Sequence, residues 1–207
     1  MNALLELHGA PTGNCIRAAI ALEEAGLAYT VRLVDLSKGQ QTGADHRSLN
    51  PAGKVPVLVE RKGAEPAFVL TQSNAIIFYA AETAPERLLP IAAGHRATVY
   101  ERFFFFLTDV IAPGHSAFFL RGQGLNDGSA RLVERMFSSI ELAEQFVSAD
   151  AYMAGSCFSI ADIAAYSIMS SVEADIPWDR LPKLRRWYER VGVRPSVVRG
   201  FQAFSSR

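Results

Sequence analysis

The stretch from residue 50 to residue 82 constrains the fold of this chain more than any other. It opens Asn50-Pro51-Ala52-Gly53-Lys54-Val55-Pro56-Val57-Leu58 and runs on into Leu70-Thr71-Gln72-Ser73-Asn74-Ala75-Ile76-Ile77-Phe78-Tyr79. Asn50, Pro51 and Gly53 punctuate a loop, and Val55 to Val59 is rich in β-formers. Proline cannot donate to a strand ladder, so Pro56 belongs at the start of that strand. The preceding Val55 then keeps its own N–H and C=O for another partner. A second strand, Ala67 to Leu70, leads into a helix opening at Thr71 to Ser73, in which Ala75, Ile76, Tyr79 and Ala80 keep a helical spacing. A hydroxyl beside the unpaired N–H groups of a helix start can bind an anion. Each half also has an ordinary reading, because Val-Pro is common before a strand and a serine at a helix start is often only a cap.

The flanking sequence continues the mixed pattern. Leu4 to Leu7 is a short apolar strand, and His8 to Asn14 is a turn-rich loop. Cys15 to Ala25 reads as a helix with Ile16, Ala19 and Ile20 on its apolar face, closed by Gly26. Tyr29 to Leu33 alternates like a strand. Strand, helix, strand favours a parallel pair with a right-handed crossover. Lys38 to Arg47 is polar, with a short helix near Asp45. Pro85, Leu88-Leu89-Pro90 and Gly94 mark a linker over 83–94, after which no β-like alternation persists. Helices are expected over His95–Ile111, Ser129–Val147, Ser156–Glu173, Leu181–Val191 and Ser196–Phe204. The change of pattern predicts an α/β domain over 1–82 and an all-α domain over 95–207. Ser159-Ile160-Ala161-Asp162 has the form of a capping box, which reads as helix initiation.

Composition narrows the function. With 207 residues, 49% of them hydrophobic, the chain can bury a sizeable core. A formal net charge of +0 speaks against nucleic acid or acidic membranes as partners. No basic segment precedes an apolar run near Met1, so no secretory signal is expected. The apolar run Phe103 to Leu107 is too short to span a bilayer. Cys15 and Cys157 are too few for a disulfide framework, which fits a reducing cytoplasm. His8, His46, His95 and His115 lack metal-ligand spacing, so no metal is expected.

The loop-Val-Pro-strand, the hairpin and the Thr-Gln-Ser-Asn-Ala helix together resemble the glutathione-binding half of the soluble glutathione transferases. The Ser-Ile-Ala-Asp box, Leu181-Pro182-Lys183-Leu184-Arg185-Arg186-Trp187-Tyr188 and Arg194-Pro195-Ser196 extend the resemblance along the whole chain. It implies an N-terminal thioredoxin-like βαβ-ββα domain followed by a C-terminal all-helical domain, in a cytoplasmic homodimeric enzyme of detoxification. It also implies a cis Val55–Pro56 bond, with the Val55 backbone pairing with the cysteinyl unit of glutathione. Gln72 and Ser73 would hold the γ-glutamyl carboxylate. Lys54, with Gln40 and Gln41 nearby, would meet the glycyl carboxylate, although a solvated loop lysine fits the sequence equally well.

Three residues compete for the glutathione sulfur. Thr12 and Asn14 lie where the first helix begins, and each can donate a hydrogen bond to a thiolate. Both are also ordinary turn and cap residues. Cys15 is either a nucleophile forming a mixed disulfide or a small buried apolar residue. Pro11-Thr12-Gly13-Asn14-Cys15 is similar to the loop of bacterial members that carry Ser or Thr and then Asn, and no tyrosine is present in it. Tyr100, Phe103, Phe104 and Leu107 share a helical face that reads as core or as an apolar wall for a small hydrophobic electrophile, with His115, Phe118 and Phe119 close in sequence. The resemblance implies that glutathione, as co-substrate, attacks an electrophile or a disulfide. Alternatives are a glutathione-dependent isomerase or dehalogenase, and a non-catalytic glutathione-binding or regulatory member.

Overall fold

The computed structural model describes residues 4–63, 66–147 and 152–205. By contact the chain divides into two compact units, Met1–Leu88 with Arg194–Arg207, and Leu89–Val193.

The first unit is built on a four-stranded mixed sheet. The strands are β1 (Leu4–Gly9), β2 (Tyr29–Leu33), β3 (Val57–Arg61) and β4 (Pro66–Thr71), in the order β2-β1-β3-β4. β1 and β2 are parallel, as strand-helix-strand predicts, while β3 is antiparallel to both β1 and β4. The helices of this unit are α1 (Gly13–Ala25), the short α2 (Ala44–Leu49) and α3 (Ser73–Thr83). This is the thioredoxin-like layout expected from sequence. Leu7, Leu58, Ile20, Leu22, Ile76 and Ile77 are fully buried and form its core. Burial of such side chains contributes roughly 1.5–3 kcal/mol each.

Along β1 the apolar strand is interrupted by Glu6, only 2% exposed. Arg32 Nη2 and Nε donate to its Oε1 at 2.6 and 3.0 Å, and Arg61 Nε donates to Oε2 at 2.7 Å. His8 Nε2 lies 3.4 Å from the same carboxylate. Burial alone would raise the Glu6 pKa, but the hydrogen bonds from Arg61 and Arg32 outweigh it and hold it at about 2.

The second unit is all helical: α4 (Ala93–Phe105), α5 (Ala112–Gly122), α6 (Asn126–Leu142), α7 (Ile160–Met169) and α8 (Pro182–Gly192). Here the helix bounds differ from the sequence reading, α6 starting and ending earlier and α7 ending at Met169, and three departures matter most. The helix does not stop at Ile111. A π-helical turn, Phe106–Ile111, joins α4 to α5, with Ala112 N–H bonded to Leu107 O. Pro113 follows at once. It lacks an N–H and would crowd the carbonyl four residues back, and the widened turn lets the helix continue past it. The resulting helix, Ala93–Gly122, is long and apolar enough by length and composition to cross a membrane. Its apolar stripe is instead packed in the bundle, where Phe103, Phe106 and Val110 are fully buried.

That stripe is the second departure. Phe103 of the face read from spacing is buried, but Phe104 on it is 50% exposed and Phe106, off it, lies inside, so the face is not a core face throughout. Five consecutive apolar residues carry no periodicity, so their pattern cannot set the phase of the helix. Third, α7 starts at Ile160 rather than at Ser156, because Ser159 is its N-cap. The capping box is complete. Asp162 accepts from Ser159 N–H and Oγ, from Met153 N–H and from Trp187 Nε1, the last at 2.8 Å. Burial pushes the Asp162 carboxyl up to about 6 against the pull of these donors.

The chain then returns to the first unit. α9 (Pro195–Gln202) packs on α1, with Arg194 donating to Glu24 at 2.5 Å and Arg199 to Glu23 at 2.6 Å. Ser196 Oγ also donates to Glu24.

Candidate functional site

Strand register brings the distant sequence motifs to one place. His8 pairs with Val57, and Val57 pairs with Thr71. The end of β1, the start of β3 and the end of β4 therefore share one end of the sheet. The loop after β1 carries Thr12 into α1. The segment before β3 carries Lys54, Val55 and Pro56. The residues after β4 are Gln72 and Ser73. A direct contact links two of these segments: Ser73 Oγ donates to Asn14 Oδ1 at 3.4 Å, across 59 residues of sequence.

Each candidate has a defined setting. Thr12 is the N-cap of α1, with φ −118° and ψ 152°, and its Oγ1 accepts the Cys15 N–H at 3.4 Å. That bond uses a lone pair of the hydroxyl oxygen, and the same hydroxyl also bonds the Cys15 thiol. Asn14 presents Oδ1 to Ser73, so its NH₂ group is the part left to donate. Cys15 is fully buried, and the Ala10 N–H points at its Sγ from 3.5 Å. Burial pushes the Cys15 thiol pKa up, against the hydrogen bonds from Thr12 and Ala10. Cys15 thus lies inside the unit, shielded from solvent.

Val55–Pro56 is a cis peptide. Val55 lies outside β3, and among the described residues its N–H and C=O enter no hydrogen bond. Lys54 is exposed, while its carbonyl is held by protein donors. Gly53 adopts φ +62°, and a Cβ there would lie 3.2 Å from Gln41 O, so a side chain is disfavoured twice over.

Ser73 is buried at the first position of α3, and the N-cap is Gln72 rather than a hydroxyl residue. Gln72 makes no side-chain capping bond and sits at φ 74°, ψ 117°. A non-glycine residue there is strained, typically by ~1–3 kcal/mol, and such strain gathers at ligand-binding positions. Gln40 Oε1 accepts the Asp35 N–H at 2.8 Å, so its carbonyl end is engaged with its own loop. Beside the start of α1 a cavity of ≈ 650 Å³ is lined by Ala10, Pro11, Thr12, Asp35, Gln40 and Phe204.

Two residues of this neighbourhood were not read as site residues from sequence, His46 and Asn50. Both donate to Lys54 O. Asn50-Pro51 carries the signal of an Asx turn, and Ala52 N–H does bond to Asn50 Oδ1 at 3.1 Å. His46 carries no such local signal.

Chemically, the end of the sheet offers hydroxyl and amide donors at the start of α1, an unpaired backbone segment at Val55, and a helix start at Ser73. Such groups can hold an extended ligand with an anionic group at one end and a hydrogen-bond acceptor near Thr12 and Asn14. Residues 13–83 match the family described as glutathione S-transferase, N-terminal domain. Glutathione S-transferase GstB of Escherichia coli K12 is 26% identical over 194 residues, which cover 89% of this chain and 90% of that protein. The disulfide-bond oxidoreductase YfcG of the same organism is 27% identical over 200 residues, covering 94% of this chain and 93% of that protein. A crystal structure of a glutathione transferase from Burkholderia graminis, with two glutathione molecules bound per subunit, superposes with a TM-score of 0.84 at 25% identity. It covers 98% of this chain and 89% of the other.

Proposed function

We propose that the chain is a member of the soluble glutathione S-transferase family, and on that premise that it binds glutathione at the end of the sheet and activates its thiol for attack on a small hydrophobic electrophile or a disulfide. The observation that carries this reading is the Ser73–Asn14 contact, which joins the anion-binding start of α3 to the donor-bearing start of α1. In this reading Gln72 and Ser73 take the γ-glutamyl carboxylate, Val55 pairs with the cysteinyl backbone, and Lys54 lies toward the glycyl carboxylate. Thr12 and Asn14 donate to the sulfur.

The chemistry follows from charge. A free thiol of pKa near ~8.5 is mostly protonated at neutral pH. Donors and the N-terminal end of the α1 dipole favour the thiolate, the dipole by ~0.3–1 kcal/mol. The proton leaves to water. The thiolate then forms an S–C bond as the electrophile's leaving group departs with its electron pair. With a disulfide it forms a mixed disulfide and releases the other half as thiolate. The Thr12–Asn14 pair and the likeness to YfcG favour including disulfides among the substrates. The proposed setting is a cytoplasmic homodimer.

The test is a variant series. Calorimetry should show glutathione binding to the parent protein. Thr12→Ala or Asn14→Ala should raise the bound thiol's pKa, each unit being ~1.36 kcal/mol, and lower the rate at neutral pH while glutathione still binds. Cys15→Ala should stay largely active. Loss of activity in Cys15→Ala alone, with a glutathione adduct on Cys15 in the parent's mass spectrum, would instead make the protein a thiol transferase acting through its own cysteine.

A further inference from the structure

The carbonyl of Lys54 accepts two side-chain hydrogen bonds. Asn50 Nδ2 donates at 2.7 Å and His46 Nε2 at 3.0 Å. A carbonyl has no proton to give, so His46 must carry its own on Nε2. Both side chains are buried, His46 at 7% and Asn50 at 6% exposure. Both are also tied to the backbone around them. Asn50 N–H bonds to His46 O at 2.9 Å, and Gly53 N–H bonds to Asn50 O at 2.9 Å. Burying polar groups is costly unless they are bonded, and here two are buried with their donors converging on one loop carbonyl.

The geometry of the peptide unit says what this achieves. The Lys54–Val55 peptide is trans, since Val55–Pro56 is the cis bond found among the described residues. In a trans peptide the C=O and N–H of one unit point in opposite directions. Fixing Lys54 C=O toward α2 and the turn after it therefore fixes Val55 N–H pointing away from them. Register continues the placement: Val57 pairs with Thr71, so Val55 and Ser73 both lie just beyond the same end of the β3–β4 pair. Nothing among the described residues accepts the Val55 N–H.

We propose that His46 and Asn50 are positioning residues that hold the Lys54–Val55 peptide plane so that the Val55 N–H is presented, already oriented, to an amide carbonyl of the bound peptide thiol. The inference rests on the glutathione reading of the site. Neither residue touches the ligand. Both act by removing the freedom the Lys54 peptide would have in an untethered loop, which would otherwise be lost on binding.

The experiment compares the parent with His46→Phe, His46→Gln and Asn50→Asp, using reduced glutathione as the probe. Removing one such donor should weaken glutathione binding by roughly three- to tenfold in calorimetry. Asn50→Asp, which turns a carboxylate oxygen on the carbonyl, should weaken it at least as much. His46→Gln keeps an N–H donor and should recover most of the parent affinity. In steady state the KM for glutathione should rise while kcat at saturating glutathione holds. A purely structural role would lower kcat and thermal stability as well and would show no rescue by Gln. Hydrogen exchange adds a readout on the parent alone: glutathione should slow exchange of the Val55 amide, and less so in His46→Phe. If glutathione binds the parent but leaves Val55 exchange unchanged, or binds the parent, His46→Phe and Asn50→Asp equally, the positioning role is overturned. No glutathione binding by the folded parent would overturn the reading of the site itself, and this inference with it.

Discussion

Ser73 does more at the start of α3 than close a helix. The N-cap position belongs to Gln72, and the Ser73 hydroxyl donates instead to Asn14. Replacing it with alanine removes no capping bond, so the fold should keep its secondary structure. If the hydroxyl meets the carboxylate of glutathione, its loss should weaken binding by about 1.5–3 kcal/mol, the range for hydrogen bonds to charged groups. Calorimetry on Ser73→Ala, with circular dichroism as the control for folding, measures this directly. Equal affinity in variant and parent would reduce Ser73 to a packing residue. Gln72 beside it keeps a strained backbone without any capping bond to offset the cost. That is the pattern expected where a backbone conformation serves a ligand rather than the helix.

Two elements lend themselves to tests of the first unit. On β1, Glu6 is clamped by Arg32 and Arg61 with its pKa lowered from 4.5 to about 2. A carboxylate depressed in the folded state contributes stability that is present above its unfolded pKa and lost as pH falls through the folded one. For Glu6 that window runs from 4.5 down to about 2. The shift corresponds to roughly 3 kcal/mol. Glu6→Gln should be less stable at neutral pH, because it leaves two arginines facing a neutral amide. It should also show a flatter loss of stability across that acid window. Denaturant titrations at several pH values test both, and parallel acid limbs in variant and parent would rule out Glu6 as the source. On α9, Gly200 meets α1 at backbone distance. An added Cβ would lie 2.5 Å from Ile20 Cγ1 and 2.9 Å from Ile20 N. Gly200→Ala should therefore cost about 1–3 kcal/mol, read as a lower urea midpoint at unchanged helix content. An unchanged midpoint would mean that α9 moves aside freely.

At the scale of the whole molecule, the layered fold and the segments that meet at the candidate site were legible because each rests on local chemistry. Alternation gave the strands, Gly26 and the Ser159–Asp162 box gave helix ends, and Val55-Pro56 with Gln72-Ser73 gave a motif of fixed order. What was not legible depends on contacts distant in sequence. The clamp of Glu6 needs Arg32 and Arg61 from neighbouring strands, the Lys54 anchor needs His46 from α2, and the docking of α9 on α1 needs two glutamates far from it in the chain. Assembly belongs to the same class of long-range property. The formal net charge of +0 gives two copies little reason to repel one another at neutral pH. β4 is an edge strand of the sheet. Phe68 on it is 40% exposed and stacks on Tyr79 of α3 with ring centroids 5.8 Å apart. An exposed edge with an aromatic pair is a surface that association would cover. The expected state is a twofold homodimer, seen in sedimentation as a species of twice the 22.6 kDa chain mass at micromolar concentration. Phe68→Ser should shift that equilibrium toward monomer without changing circular dichroism if this edge takes part. Monomer alone across the micromolar range would rule the dimer out, and a dimer indifferent to Phe68→Ser would move the interface to another face.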